Sequence, residues 1–583
     1  MSDPSLTPAP PARVDWQLIP WSIAALCAGL ATAAVWHTAT SKPPDPPPVA
    51  RLELRTAPGT TFDREAAPIA ISPDGRSFAW SACDGATDRC ALYVRAIDRF
   101  DAQALAGTDG AHAPTFSPDG RWIAFFADGA LKKIAAGGGA PTPLAAAPDP
   151  GGAAWTADGR IVFAASTAGG LSIVDDQGGR AQTLTAPSAG RGELRHRFPA
   201  VVPASHGLIF TIASDPDPEA PDTLAALAPD SGGVRVLRRD VRRALPAGIG
   251  YLLLSAGSDL QAATFDTRTL VLTGPTDAVA APPAEGAPEF AVGGNALAIV
   301  RGSARPSRVW SDGADAGPLS RLRAIAIAPD SRRAAGIDAS GDVWMVDLGA
   351  GAPTRLTFGG LNASPAWAAD GSRLFFSTRD PDGPYRVVSR SASERSEAPV
   401  AVRGLPPQAF PTSIAADGRI ALTVFHDGHA SVGVAAPDGS PPRILTDGPF
   451  DESAPAFSPD GRWLALESTA SGRREVVVRS TTDGRRIALT SDGGSKPHWT
   501  ADGRAIYFTS GRRLLCVPFA GDGSAAASPA QAVLDRAGER PLAVTPAGRV
   551  LIERHPDADS AIVVLQWLRE LGERLPLPVN PPR

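Results

Sequence analysis

One short phrase recurs along this chain and restricts its fold more than any other feature. "FSPDGRWIAFF" runs from Phe116 to Phe126, and "FSPDGRWLALE" runs from Phe457 to Glu467. Ser-Pro-Asp-Gly suits a tight turn at every position: Ser favours the first, Pro pre-sets φ at the second, Asp fits the third, and Gly takes the left-handed geometry that follows. Within a hairpin this gives a type I turn closed by a Gly bulge. The residues after it alternate or run apolar, as strands do. The phrase therefore reads strand, turn, strand.

Weaker copies fill the chain. "ISPDGRSFAWS" starts at Ile71, "WTADGRIVFAA" at Trp155, "WAADGSRLFFS" at Trp367, "IAADGRIALTV" at Ile414 and "WTADGRAIYFT" at Trp499. "IAPDSRRAAGI" and "VTPAGRVLIER" begin at Ile327 and Val544, and decayed copies surround His206, Ile249 and Gly294. The twelve copies are spaced by about 36 to 48 residues, which is the period of propeller blades with four strands each. Later segments of each repeat agree: "ALYVRAI", "DVWMVDL" and "REVVVRS" alternate, and "AQTLT", "PTRLT" and "RIALT" close the repeats. Twelve blades exceed one ring of four to eight. The expected fold is all-β, with two tandem six-bladed β-propellers; the shortest interval, Gly294 to Asp330, marks the midpoint. A seven-plus-five split is the alternative.

The chain has 583 residues, 43% hydrophobic and 20% charged, ample for two cores. Its 59 Gly and 58 Pro suit a chain full of turns. A net charge of -5 and the absence of a basic field argue against nucleic acid. The segment "LIPWSIAALCAGLATAAVWHT", Leu18 to Thr38, holds no Asp, Glu, Lys or Arg and is long enough to cross a bilayer as a helix. Trp16, Trp21 and Trp36 stand near its ends. The competing reading is a cleaved signal peptide, with Arg13 ahead of it and a site at Ala31 to Ala33. The proline-rich run Ser41 to Ala50 reads as a semi-rigid spacer. "RLELRT", Arg51 to Thr56, precedes the first full blade and is expected to complete a ring as an outer strand, closing the first ring or pairing with the last blade's "AIVVLQW".

Cys83 and Cys90 bracket "CDGATDRC", the loop between two strands of the first blade. Facing each other across a hairpin mouth, they can meet disulfide geometry, which implies an oxidising compartment. The alternative is two free thiols on a loop.

The order of these motifs, from "ALYVRAIDRFDAQALAGTDGAHAPTFSPDGRWIAFF" through "SRVWSDGADAG" and "GRREVVVRSTTDGRRIALTSDGGSKPHWTADGRAIYF" to "AIVVLQWLRELGERLP", resembles the TolB-like (WD40-like) propeller region of bacterial membrane-bound serine/threonine protein kinases. The resemblance implies a single membrane-spanning helix with the propellers outside the cytoplasm. It does not extend to the kinase. Seventeen residues precede the apolar segment, and the chain has no Gly-rich phosphate loop, His-Arg-Asp or Asp-Phe-Gly.

Other constellations have plain readings. No Gly-x-Ser-x-Gly elbow exists for a serine peptidase. His426 and His429 in "FHDGHA" suggest a metal pair, but Asp427-Gly428 between them reads as a hairpin tip and no third ligand is evident. "RGELRHRFPA" gathers Arg191, Arg195, His196 and Arg197; such a patch near a propeller face binds an acidic ligand or is a solvated loop. The repeated acid-glycine pairs, Asp74-Gly75, Asp119-Gly120, Asp158-Gly159, Asp370-Gly371, Asp417-Gly418, Asp460-Gly461 and Asp502-Gly503, recur too regularly for one active site and read as structural turns. Trp155, Trp367 and Trp499 precede the turn and are expected between blades.

The expected organisation is a cytoplasmic tail (1–17), a transmembrane helix (18–38), a linker (39–50), a first propeller (51–305), and a second propeller with a short C-terminal helix (306–583). The expected function is non-enzymatic: an anchored propeller protein of the bacterial inner membrane, with its rings in the periplasm, for protein binding or signal sensing. It needs no cofactor or metal and does not bind nucleic acid. Its partner is a protein, either a kinase or an envelope protein. The alternative is the sensory part of a split or degenerate serine/threonine kinase system.

Overall fold

The computed structural model of the chain describes residues 48–577 apart from 64–66, 86, 88, 167, 204, 230–231, 258, 280–287, 301–306, 350–351, 382, 395–396, 447, 521–528, 537–538 and 555–558. Residues from Val49 onward form one compact unit. Among the described residues its regular structure is almost wholly antiparallel strand, arranged in twelve small sheets.

One blade shows how the recurring phrase builds the fold. His112–Phe116, Trp122–Ala127, Ala130–Ala135 and Thr142–Ala146 pair in that order. Between the first two strands, Ser117 Oγ donates to Asp119 Oδ1 at 2.5 Å, and the same carboxylate oxygen accepts the Arg121 amide at 3.1 Å. The Trp122 amide donates to Ser117 Oγ at 3.0 Å, and Gly120 takes φ +72°. The second strand is buried on both faces because neighbouring blades cover both, which is why "WIAFF" runs apolar instead of alternating. Phe125 and Phe126 are buried there, each worth about 2–3 kcal/mol of transfer free energy. The fourth strand lies at the rim and is mostly exposed.

Contacts between first strands order the sheets. Ile69–Ile71, His112–Phe116, Ala153–Trp155, Arg195–Val202, Arg243–Ala247 and Phe290–Gly293 touch in sequence, and the last returns to the first. A second circuit runs through Arg323–Ile327, Leu361–Trp367, Ala409–Ile414, Glu452–Phe457 and Ser495–Trp499, and closes through the sheet of Glu539–Val544 back to Arg323–Ile327. The twelve sheets thus make two rings of six. Tryptophans tie adjacent blades: Trp367 Nε1 donates to Ala326 O at 3.1 Å, and Trp499 Nε1 to Ala456 O at 3.0 Å.

Each ring closes with strands from distant parts of the chain. In the second, Ser307–Trp310 pairs with Val550–Arg554. In the first, the late strand Ser560–Leu565 lies between Ala296–Val300 and Ala50–Arg55. The chain therefore leaves the first ring, builds the second and returns. Residues 560–577, expected with the second propeller, belong to the first. The helix Trp567–Arg574 packs Trp567 and Leu571 among Tyr251, Leu253, Phe290 and Leu297, and Tyr251 Oη donates to Leu575 O at 2.7 Å.

The expected transmembrane helix, and with it the placement in the inner membrane, is corrected. Among the described residues no helix is long and apolar enough to cross a membrane, and the α-helix present, Trp567–Arg574, has eight residues. The segment Leu18 to Thr38 lies outside the described residues. Length and absence of charge permitted a span there but did not establish one.

Candidate functional site: the cavity between the rings

The first strand of a blade faces the ring axis, and here many first strands are interrupted. Register shifts fall between His112 and Thr115, Arg197 and Ala200, Arg323 and Ala326, Ala363 and Ala366, Ser453 and Ala456, and Ser495 and His498. At each shift one non-glycine residue has a left-handed backbone: Ala113, Phe198, Ala324, Ser364, Ala454 and Lys496, with φ of 49°, 52°, 48°, 49°, 50° and 53°. In five of the six the next residue is proline, which cannot donate to the ladder. Such bulges re-aim side chains, and left-handed geometry of this kind costs of order 1 kcal/mol or more at each residue. Phe198, Ala324, Ser364, Ala454 and Lys496 all line one cavity of about 2220 Å³, walled by both rings.

The rings meet around this cavity through charge and bare backbone. The loop "SDPDPEAP", Ser214 to Pro221, leaves the fourth blade of the first ring and reaches the second. Arg323 donates through Nη1 to Asp215 Oδ2 at 3.0 Å and to Asp217 Oδ2 at 3.2 Å. Arg308 holds Glu553 at 3.0 Å and reaches Glu219 at 3.3 Å. Arg474 pairs with Asp149, and Ser166 Oγ donates to Asp451. Where no side chain intervenes, glycine faces glycine. A Cβ on Gly129 would stand 1.9 Å from Gly472 O, and one on Gly192 would stand 2.6 Å from Gly383 O.

Burial sets the titration of these groups. It pushes the Asp215 carboxyl up to about 6 against the pull of Arg323, with Asp217 adding like-charge repulsion. Glu219 is raised by the same two causes, burial and then neighbouring carboxylates. Enclosure lowers the ammonium of Lys496, which is open to the cavity's solvent but surrounded by protein.

The run Arg191 to Arg197 is not a solvated loop. Arg195, His196 and Arg197 are buried on the inner strand Arg195–Val202; Arg191 remains outside, paired with Glu193 at 2.9 Å. His196 Nδ1 lies 2.7 Å from Thr185 Oγ1. Arg197 grips Asp222 through Nε at 2.5 Å and Nη2 at 2.9 Å. Arg195 is different. It lines the cavity, is 9% exposed, and its Nε and Nη2 are buried without a hydrogen-bond partner. Burial, then the positive charge of Arg197, holds its pKa down to about 10.

The other sequence candidates lie elsewhere. Each turn carboxylate bonds within its own turn: Asp74 to the Arg76 amide at 3.0 Å, Asp370 to the Ser372 amide at 2.9 Å, Asp417 to the Arg419 amide at 3.1 Å, and Asp460 and Asp502 to the Arg462 and Arg504 amides at 3.1 Å. The Thr156 hydroxyl and then the Arg160 guanidinium hold the Asp158 carboxyl down to about 2. His426 and His429 face each other across the Asp427-Gly428 turn, and Gly169 of the first ring approaches Gly428. That hairpin tip is a ring-to-ring contact. Cys83 and Cys90 are opposite in register and bonded to each other at the cavity edge. Sequence reading followed the turn and missed the bulge. Its signal was present: Pro114, Pro365, Pro455 and Pro497 each stand five residues ahead of a turn aspartate.

Compared with known proteins, the chain is 27% identical over 118 residues to a TolB homologue of Chlorobium luteolum, covering 20% of this chain and 26% of that protein. It thus spans about a quarter of the length of this curated relative. A putative TolB from Agrobacterium tumefaciens is similar at 16% identity and a TM-score of 0.33, over 42% of this chain and 89% of that one. TolB from Acinetobacter baumannii follows at 13% and 0.30, over 55% and 79%. No family model matches the chain. The likeness is to TolB-like propellers, and these relatives do not carry the kinase connection that the motif order implies.

Proposed function

We propose that this chain is a binding protein that takes an extended segment of a partner protein into the cavity between its rings. The carrying observation is the cavity itself: about 2220 Å³, lined by strained inner-strand residues of both rings. That volume exceeds the roughly 300–1,000 Å³ of small-molecule sites, so a polypeptide is the better occupant. Most of the charged groups there are committed to one another in pairs, an arrangement suited to holding a shape rather than shuttling protons. The Cys83–Cys90 pair suits an oxidising compartment.

The test is a photo-crosslinking residue at His498, on an inner strand lining the cavity, against one at Val236, on an outer strand. Capture of one discrete protein from His498 and not from Val236 is expected. Capture from Val236 alone, or from neither, contradicts the proposal. The motif order shared with kinase-linked propellers supports a second reading, a sensory partner of a separately encoded kinase. In that case the captured protein is a kinase.

A further inference from the structure

We infer that Arg195 is the anchor of an anion subsite inside the inter-ring cavity, and that it receives a carboxylate of an acidic peptide segment. This rests on the reading of the cavity as a protein-binding site and names the chemistry it selects.

Burying a guanidinium without partners is unfavourable, and folded proteins seldom leave one so. The charges that act most strongly on Arg195 are Arg197, Asp222, Asp149 and Arg474. Neither acid serves it. Asp222 accepts both Arg197 bonds and the Thr211 hydroxyl at 2.9 Å. Asp149 is held by Arg474. Arg195 therefore keeps two donor nitrogens without partners in the wall of a cavity that reaches solvent; both are covered, so a carboxylate reaches them as the guanidinium turns into the cavity. A planar fork of N–H groups matches the two oxygens of a carboxylate. A second cation is available to an extended acidic segment: Lys496 lines the same cavity, and among the described residues no ion pair engages its ammonium. Its neighbours include Glu467, which takes the Lys496 amide at 2.8 Å and lies 3.6 Å from Arg474. The acidic groups around Lys496 favour a ligand anchored at Arg195 first.

The position also argues against a structural role. An Arg kept for stability would be paired, as Arg197, Arg308 and Arg323 are. Replacing a buried, unpaired cation by an apolar side chain of similar length relieves a cost instead of adding one.

The experiment is calorimetric titration of the full chain, at low and at physiological salt, with hexaglutamate, hexaglutamine and inorganic phosphate. Hexaglutamate is expected to bind and hexaglutamine not to. Arg195→Met should weaken hexaglutamate at least tenfold, and Arg195→Lys should weaken it less, while the Tm of Arg195→Met stays equal to or above that of the parent. Hexaglutamate binding that is absent, or unchanged in Arg195→Met, overturns the assignment. So does a lowered Tm, which makes Arg195 structural, or Arg195-dependent binding of phosphate without hexaglutamate. Failure of the His498 cross-link would remove the partner-protein reading while leaving this titration readable; the reverse also holds.

Discussion

Arg323, on an inner strand of the second ring, reaches Asp215 on a loop of the first at 3.0 Å. This contact gathers what governs the interface: a buried carboxylate, a second carboxylate on the same guanidinium, and a loop whose prolines hold both acids in place. Asp215 titrates near 6 because burial outweighs Arg323. Its pKa in the fold is raised, so its contribution to stability is complete below about pH 4, the unfolded value, and is lost as pH rises through about 6. A shift of about two units bounds that contribution near 3 kcal/mol, and sharing with Asp217 reduces it. Asp215→Asn should remove this dependence. Denaturant midpoints of parent and variant between pH 4 and 7 check it: the difference between the two curves should change by about 1–3 kcal/mol across that window, and parallel curves would refute the assignment.

The turn aspartates work in the opposite direction. Asp119 and Asp460 have lowered pKa values: the Ser117 hydroxyl leads at Asp119, and at Asp460 the Ser458 and Arg462 hydrogen bonds overcome burial. A lowered carboxylate contributes above its unfolded pKa near 4, and the contribution fades as pH falls through the folded value. Asp460→Ala should cost about 1 kcal/mol at pH 7, the net value of such bonds, and less at pH 2. Chemical denaturation at the two pH values measures this; an equal cost at both would show that the carboxylate charge is not involved.

The glycine contacts between the rings allow a controlled comparison. Gly129 and Gly110 have the same φ of +70°, but a Cβ on Gly110 meets nothing within 4 Å, whereas one on Gly129 meets Gly472 O at 1.9 Å. Gly110→Ala should cost about 1 kcal/mol for backbone strain alone. Gly129→Ala should cost at least about 2 kcal/mol more, because the rings must part. Equal costs in thermal denaturation would mean that the rings are not in contact there.

Much of this was legible in the sequence, and the reason is local. A turn of Ser-Pro-Asp-Gly needs only its own residues to form, so it survives as a readable phrase in most blades. Ring closure was partly legible: "RLELRT", Arg51 to Thr56, reads as an outer strand that closes the first ring or pairs with the late "AIVVLQW", and Ala50–Arg55 does pair with Ser560–Leu565 in the first ring. Ser560–Leu565 is an apolar run like many other strands here, and nothing in "SAIVVL" says that its second partner is Ala296–Val300. The cavity was half legible. The run Arg191 to Arg197 stood out, but charge in a sequence reads as surface, and nothing local says that Arg195 and Arg197 fall on an inner strand where both are buried. The acidic loop at Asp215 carried no signal, because its partner Arg323 lies more than a hundred residues away in the chain.

The cysteine pair gives a prediction about compartment. In protein recovered from an oxidising compartment, Cys83 and Cys90 should be found linked in non-reduced digests. The loop they close is short, so reduction should cost only about 2–3 kcal/mol. Free thiols at both positions would refute the linkage.

The central claim is that the two rings face each other and share one cavity. Ser166 of the first ring hydrogen-bonds Asp451 of the second, although 285 residues separate them in the chain. Cysteines at both positions, Ser166→Cys with Asp451→Cys in the full chain, test the arrangement directly by mass spectrometry of non-reduced peptides under mild oxidation. Docked rings predict rapid, near-complete formation of the 166–451 cross-link within single chains. A folded protein in which both thiols stay free, or link only between chains, would contradict it.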